Sequence, residues 1–207
     1  MTIHRIVTTV FSVLLPVSAF AETVDFDSSK IGQISPGWQS GVTGKGVPRW
    51  SIEVDAAAPS KPHILKQSGE GTFPWCVKKD TAMANGSVEV KFKLISGKGD
   101  QAGGVIWCWK DGHNYYVARA NALENNVAIY HTINGNRRAF KSADIKVQSN
   151  EWHTLRVDFY GGHFTVTFDG KRVIDADDRK ITGSGAVGVW TKADSVTAFD
   201  DFTFGNK

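Results

Sequence analysis

The sequence is short of cysteine and of helical periodicity, and each shortage narrows what the chain can be. Two cysteines in 207 residues, with no CxxC pair and no HExxH segment, argue against zinc. No window of helix length carries apolar residues at 3.6-residue spacing, so helical architectures are not expected. Beyond the first 21 residues no apolar run approaches the length of a membrane span. An excess of one charge is also missing: 24 Lys and Arg stand against 21 Asp and Glu. Basic pairs such as Lys78-Lys79 and Arg137-Arg138 are scattered, which leaves no face suited to many phosphates, and nucleic acid is not an expected partner. No GxSxG elbow accompanies His63, His113, His131, His153 and His163. Each of these reads as a turn or strand residue rather than as a base.

What is abundant points one way. Twenty-one glycines, seven tryptophans and twelve phenylalanines, with frequent Val and Thr, favour many short strands joined by tight turns. The first 21 residues, MTIHRIVTTVFSVLLPVSAFA, place Arg5 ahead of an apolar stretch and end on small residues. They read as a signal peptide cut after Ala21, which predicts an exported protein, periplasmic or extracellular. No cysteine follows the cut to carry a lipid. The remaining 22–207 suit one domain, and losing Arg5 takes the net charge from +3 to +2. In an oxidising compartment a Cys76–Cys108 disulfide is expected, worth about 3–4 kcal/mol in the chain-entropy model; two buried free thiols are the alternative.

Residues 100–132 (DQAGGVIWCWKDGHNYYVARANALENNVAIYHT) organise the chain. Runs 104–109 (GVIWCW) and 115–120 (YYVARA) flank Asp111-Gly112, a pair suited to a tight hairpin turn, and 127–132 (VAIYHT) extends the meander to a reversal at Asn134-Gly135. Both faces of these strands are apolar or aromatic, more than a sheet with one solvated face needs. One face should pack on a second sheet and the other should be sheltered, as in a cleft. Further strands are expected at 24–27, 49–54, 63–67, 72–77, 87–95, 152–160, 163–168, 171–176, from 183 into GVWTKADS, and at 196–204. Residues 87–95 (SVEVKFKLI) alternate most cleanly. A dozen or more strands predict an all-β jelly-roll β-sandwich of two antiparallel sheets.

The segments DQAGGVIWCWKDGHNYYVARANALENNV, NEWHTLRVDFYGGHFTVTFDGK and GAVGVWTKADSVTAFDDFTF resemble the concanavalin A-like lectin/glucanase superfamily. More narrowly, they are similar to its laminin-G-like proteins grouped with the 3-keto-disaccharide hydrolase domain family. The resemblance implies a jelly roll whose terminal strands, VDFD and DDFTF, pair, and whose concave sheet faces glycans. It departs at two places. The ExDxxE strand of the family-sixteen glucanases is absent, since Glu53-Val54-Asp55 is followed by Ala58 where the second glutamate should stand. Cys108 occupies a position where the resemblance implies an arginine facing the cleft.

Sugar recognition needs aromatic planes and planar hydrogen-bonding groups on a rigid surface. The candidate ligand-binding residues are Tyr115, Arg119, Asn121, Glu124, Trp190, Lys192 and Asp194. Tyr115, Val117 and Arg119 share a strand face, and Arg119 either lines a wet cleft or forms an ion pair with Glu124 that pins the ANALE loop. Trp190 serves as core filling or as a platform; Trp107 and Trp109 read as core. For a hydrolase, Glu124 or Asp194 is the candidate general acid or base. Asp200-Asp201 could serve calcium, but neighbours on a strand point to opposite faces, and no cofactor is expected. The expected function is binding of a saccharide on the concave sheet. The alternatives are a glycoside hydrolase acting on 3-keto-glycosides and a non-enzymatic domain that binds protein or envelope polymer. Oligomeric state stays open.

Overall fold

Residues 87–95 do what their alternation requires. In the computed structural model Val88, Val90, Phe92 and Leu94 are fully buried, whereas Glu89, Lys91 and Lys93 turn outward to Arg156 at 3.5 Å, Asp201 at 2.7 Å and Asp55 at 2.5 Å. The structure describes residues 21–206, so the expected leader lies outside the described residues but for Ala21. Among these residues there are strands and no helix.

In chain order the strands are β1 (Glu22–Val24), β2 (Trp38–Val47), β3 (Trp50–Val54), β4 (His63–Gln67), β5 (Glu70–Met83), β6 (Gly86–Ser96), β7 (Ala102–Asp111) and β8 (Asn114–Asn121). They continue as β9 (Asn126–Ile133), β10 (Asn136–Asp144), β11 (Trp152–Tyr160), β12 (His163–Phe168), β13 (Lys171–Asp177), β14 (Gly185–Thr191) and β15 (Val196–Gly205). One sheet runs β13-β12-β11-β6-β15-β4-β3, with β1 also on β15; the other runs β10-β9-β8-β7-β14-β5-β2. All the pairings are antiparallel. This is the two-sheet jelly-roll-like sandwich that the strand pattern predicts, and its terminal strands pair, Val24 opposite Phe202. The first strand stops at Val24, short of the expected 27, because Phe26 takes a φ of 64° and drops into the core.

The shared core lies between the sheets. Trp107, Tyr116, Ala118, Val127 and Ile129 from the seven-stranded sheet meet Val90, Phe92, Leu155, Phe164 and Phe199 from the other. Each large side chain buried there contributes about 1.5–3 kcal/mol. The two outward faces differ. That of the eight-stranded sheet carries the ion pairs of β6. That of the seven-stranded sheet carries a second apolar cluster, Trp75, Val77, Ile106, Tyr115, Val117, Tyr130 and Trp190.

Two strands were not anticipated, and both are edges of the seven-stranded sheet. β2 (WQSGVTGKGV) is glycine-rich and β10 (NRRAFKSAD) is polar, because an edge strand need not bury both faces and is protected from further pairing by charge and irregularity.

The expected disulfide is not formed: Cys76 and Cys108 are both free and buried. Cys76 lies on β5 and Cys108 on β7, with β14 hydrogen-bonded between them. Two inter-strand spacings amount to roughly 10 Å, beyond the reach of a disulfide. Burial pushes both thiols up, that of Cys108 to about 11. Thiol titration should therefore find no rapidly reacting group in the native protein and two after unfolding without reductant. A single blocked pair in the unfolded chain would restore the disulfide.

Candidate functional site

The site is built on the outward face of the seven-stranded sheet, where the cross-strand register sets side chains in rows. One row runs Ala128, Arg119, Gly104, Trp190, Trp75, Gly41 across β9, β8, β7, β14, β5 and β2. Two glycines make room in it. A Cβ on Gly104 would lie 2.1 Å from the carbonyl oxygen of Ala118 and 2.9 Å from Cα of Arg119, and one on Gly41 would lie 2.4 Å from the Trp75 ring. Trp75 thus lies flat over Gly41 and meets Trp109 at 5.4 Å between ring centroids.

Trp109 reaches this face through a β-bulge. Cys108 has a φ of 50° and the register shifts after Trp107, so Trp107 and Cys108 both enter the inter-sheet core while Trp109 is turned outward and left partly exposed. Strict alternation placed Trp109 in the core with Trp107; the extra residue of the bulge reverses its side. It also carries Cys108 away from the cleft position that the resemblance implied.

Arg119 is 2% exposed on an otherwise apolar strand face. Its Nη2 donates to Oε2 of Glu124 at 2.5 Å and to the Tyr130 hydroxyl at 2.8 Å, and its Nη1 donates to Oδ1 of Asn126 at 2.5 Å. The ion pair that pins the loop is therefore formed, in the same place as the candidate site. Asn121 sets that loop: its Oδ1 accepts the backbone N–H groups of Leu123 and Glu124, each at 2.9 Å, an Asx turn that Asn125 continues with a φ of 49°. Its Nδ2 donates to Asp100 at 2.6 Å. Buried Asp100 also pairs with Lys192, whose Nζ stands 3.9 Å from Oε1 of Glu124. Partial burial raises the Glu124 carboxyl, but hydrogen bonding and charge from Arg119 outweigh it and hold the group below its ordinary range.

Asp194 is occupied differently. Its carboxylate accepts the backbone N–H groups of Lys98, Gly99 and Asp100 at 2.7–2.9 Å, which caps the 97–100 turn and holds Asp100 in place. Tyr115 is wholly buried with its hydroxyl 2.8 Å from that of Thr43, and burial raises its pKa. Trp190 is wholly buried too, stacked on Phe73 at 5.7 Å. It is a floor rather than an open platform. Asp200, weighed for calcium, is buried and accepts the hydroxyl and N–H of Ser60, while Asp201 pairs with Lys91.

Sequence reasoning missed Arg137, Phe73 and Tyr130. The Arg137 guanidinium comes from edge strand β10 and lies 4.2 Å from the Tyr130 ring centroid, 4.4 Å from Phe73 and 5.0 Å from Trp190. Phe73 and Arg137 are half-buried. The available signal was the Asn134-Gly135 turn, whose residues have φ values of 50° and 78°: a tight hairpin there demands a partner strand beginning at Asn136. A depression of about 580 Å³ lined by Lys45, Val47, Thr72 and Ala193 adjoins Phe73 and Lys192 along the chain. A cavity of about 260 Å³, walled by Phe159, Phe164, Ile181 and Cys108, opens elsewhere.

A family profile described as the 3-keto-alpha-glucoside-1,2-lyase-like domain matches residues 23–204. Among solved structures, the carbohydrate binding module CBM66 from Bacillus subtilis is similar at 18% identity with a TM-score of 0.66, over 80% of this chain and 93% of that one. The cellulose induced protein Cip1 is similar at 12% identity and 0.66, over 90% and 97%. The Bacillus licheniformis beta-glucanase is similar at 13% identity and 0.60, over 91% and 98%. At such identities the likeness establishes the shared sandwich. No curated protein sequence matches the chain.

The depressed carboxyl of Glu124 gives a pH test. Its contribution to stability is complete above the ordinary value of 4.5 and is lost as pH falls from there through the lower folded value. Glu124→Gln should lower the melting temperature at neutral pH, and the gap from the unsubstituted protein should close as pH drops below that window. A gap that stays constant would show that the Arg119 ion pair contributes nothing.

Proposed function

The chain belongs to the 3-keto-alpha-glucoside-1,2-lyase-like family, and we propose that it binds a saccharide on the outward face of its seven-stranded sheet. The observation that carries this is the combination of partly exposed rings, Phe73 and Trp109, with fixed polar groups, Arg119, Glu124, Asn126 and Lys192, along one sheet face. Rings offer flat apolar surface to the C–H side of a sugar, while guanidinium, carboxylate and amide groups fix its hydroxyls. The supporting strands hold these side chains in register, so little ordering is left for binding to impose. The names of CBM66 and the beta-glucanase point the same way, and the leader expected at residues 1–21 would bring the site to where glycans are met.

A second reading is favoured by the family description together with Glu124. A ketone at C3 acidifies the C2 hydrogen of a glycoside. A base that takes this proton sends the C–H electron pair toward the C3 carbonyl as an enolate; the enolate then re-forms the ketone, makes a C1–C2 double bond and breaks the C1–O bond, and the departing oxygen takes up a proton. In this reading Glu124, half-exposed and held below its ordinary range by buried Arg119, is that base.

Thermal-shift measurements on a panel of neutral, acidic and 3-keto sugars should find at least one that raises the melting temperature. Trp109→Ala and Phe73→Ala should remove that shift while leaving the unliganded protein folded. No shift with any sugar would end the proposal. If the second reading holds, a 3-keto-glucoside is consumed, and Glu124→Gln binds it without turnover; binding with no product from the unsubstituted protein would leave recognition alone.

A further inference from the structure

Two of the cations on this face have carboxylate partners, and Arg137 has none. Arg119 is matched by Glu124 and Lys192 by Asp100. The Arg137 guanidinium forms neither an ion pair nor a hydrogen bond with any described residue, and its Nη1 is buried without a partner. A guanidinium has five N–H donors, and holding one half-buried against aromatic rings with no carboxylate in direct contact is costly unless its charge is met. Burial, with the charge of Arg119 behind it, pulls the guanidinium below its ordinary pKa. Other donors nearby are also unused: Nε of Arg119 and the indole N–H groups of Trp75 and Trp109 have no acceptor among the described residues. What the face lacks is acceptors and one negative charge.

Resting on the saccharide reading, we infer that the ligand is an acidic sugar, a hexuronic acid unit, whose carboxylate is received by Arg137. The rings of Phe73, Tyr130 and Trp190 stand with centroids 4.2–5.0 Å from the guanidinium carbon, and no described residue accepts from its N–H edge. A carboxylate presents two coplanar oxygens and matches that edge with two parallel hydrogen bonds. The sugar ring attached to it then extends toward the half-exposed Phe73 and Glu124. Glu124 is itself neutralised by Arg119, so it does not repel the incoming anion. The rings beneath Arg137 hold the guanidinium before the ligand arrives, so its rotamer entropy is already lost. A neutral sugar would satisfy donors but leave the Arg137 charge unmet.

The measurement is calorimetric titration of the protein at low salt with methyl glucuronide, its methyl ester, methyl glucoside and glucose 6-sulfate. The glucuronide should bind on the order of tenfold more tightly than the ester or the glucoside, as expected when a charge-assisted bidentate pair is present in one ligand only. The preference should shrink as salt rises. It should vanish in Arg137→Met and survive in part in Arg137→Lys, with folding of each variant checked by near-ultraviolet circular dichroism. Because the ester removes the charge from the ligand rather than from the protein, the comparison stands even if a variant fails to fold. Equal affinity for glucuronide and ester, or a preference that persists in Arg137→Met, overturns the acidic-sugar inference and leaves the saccharide site intact. Tighter binding of the sulfate than of the glucuronide overturns the carboxylate assignment. Absence of binding by every sugar overturns this inference and the proposed function together.

Discussion

Burying a guanidinium in the face of a β-sheet is tolerable only if its charge and donors are met, and Arg119 imposes that condition on everything around it. The Glu124 carboxylate, the Tyr130 hydroxyl and the Asn126 amide converge on it. Glu124 can do so only because Asn121 folds the loop between β8 and β9 back on itself, and Asn121 is held by Asp100, whose own turn is capped by Asp194. Residues that look like separate candidates along the chain are successive links in one network. Removing any link leaves a buried polar group without its partner, which is the expensive outcome.

The two outward faces of the sandwich differ in what they carry. The eight-stranded sheet turns ordinary ion pairs to solvent, and exposed pairs of that kind contribute little. The seven-stranded sheet stacks Trp75, Trp190 and Tyr130 as buried rings on its outward side and leaves Trp109 and Phe73 partly exposed above them. Their positions are set by backbone devices rather than by composition. The bulge at Cys108 delivers Trp109, the glycines at 41 and 104 give Trp75 and Arg119 their places, and the edge strand β10 brings Arg137 over the rings.

Much of the fold was legible. Alternation at residues 87–95 and the doubly apolar meander at 104–132 follow from period-two patterning and turn chemistry, which act over a few residues, while the terminal pairing of β1 with β15 was implied by the family resemblance. The cysteines show where such reasoning stops. Export and an even count favour a disulfide, but whether two cysteines can meet depends on strand order, and β14 lies between them. Trp109 shows the same limit at closer range, since one extra residue in a strand reverses the side of every residue after it.

The sequence by itself determined most of the strands and turns, the two-sheet architecture and part of the stretch that builds the candidate site, because local propensity and burial pattern are properties of neighbouring residues. Tertiary structure alone decided which charges pair. Arg119 and Glu124 are five residues apart, but Lys192 finds Asp100 and Arg137 finds Phe73, Tyr130 and Trp190 through the register of six strands drawn from distant parts of the chain. That the Arg137 guanidinium meets rings and no carboxylate among the described residues is a property of this assembled register.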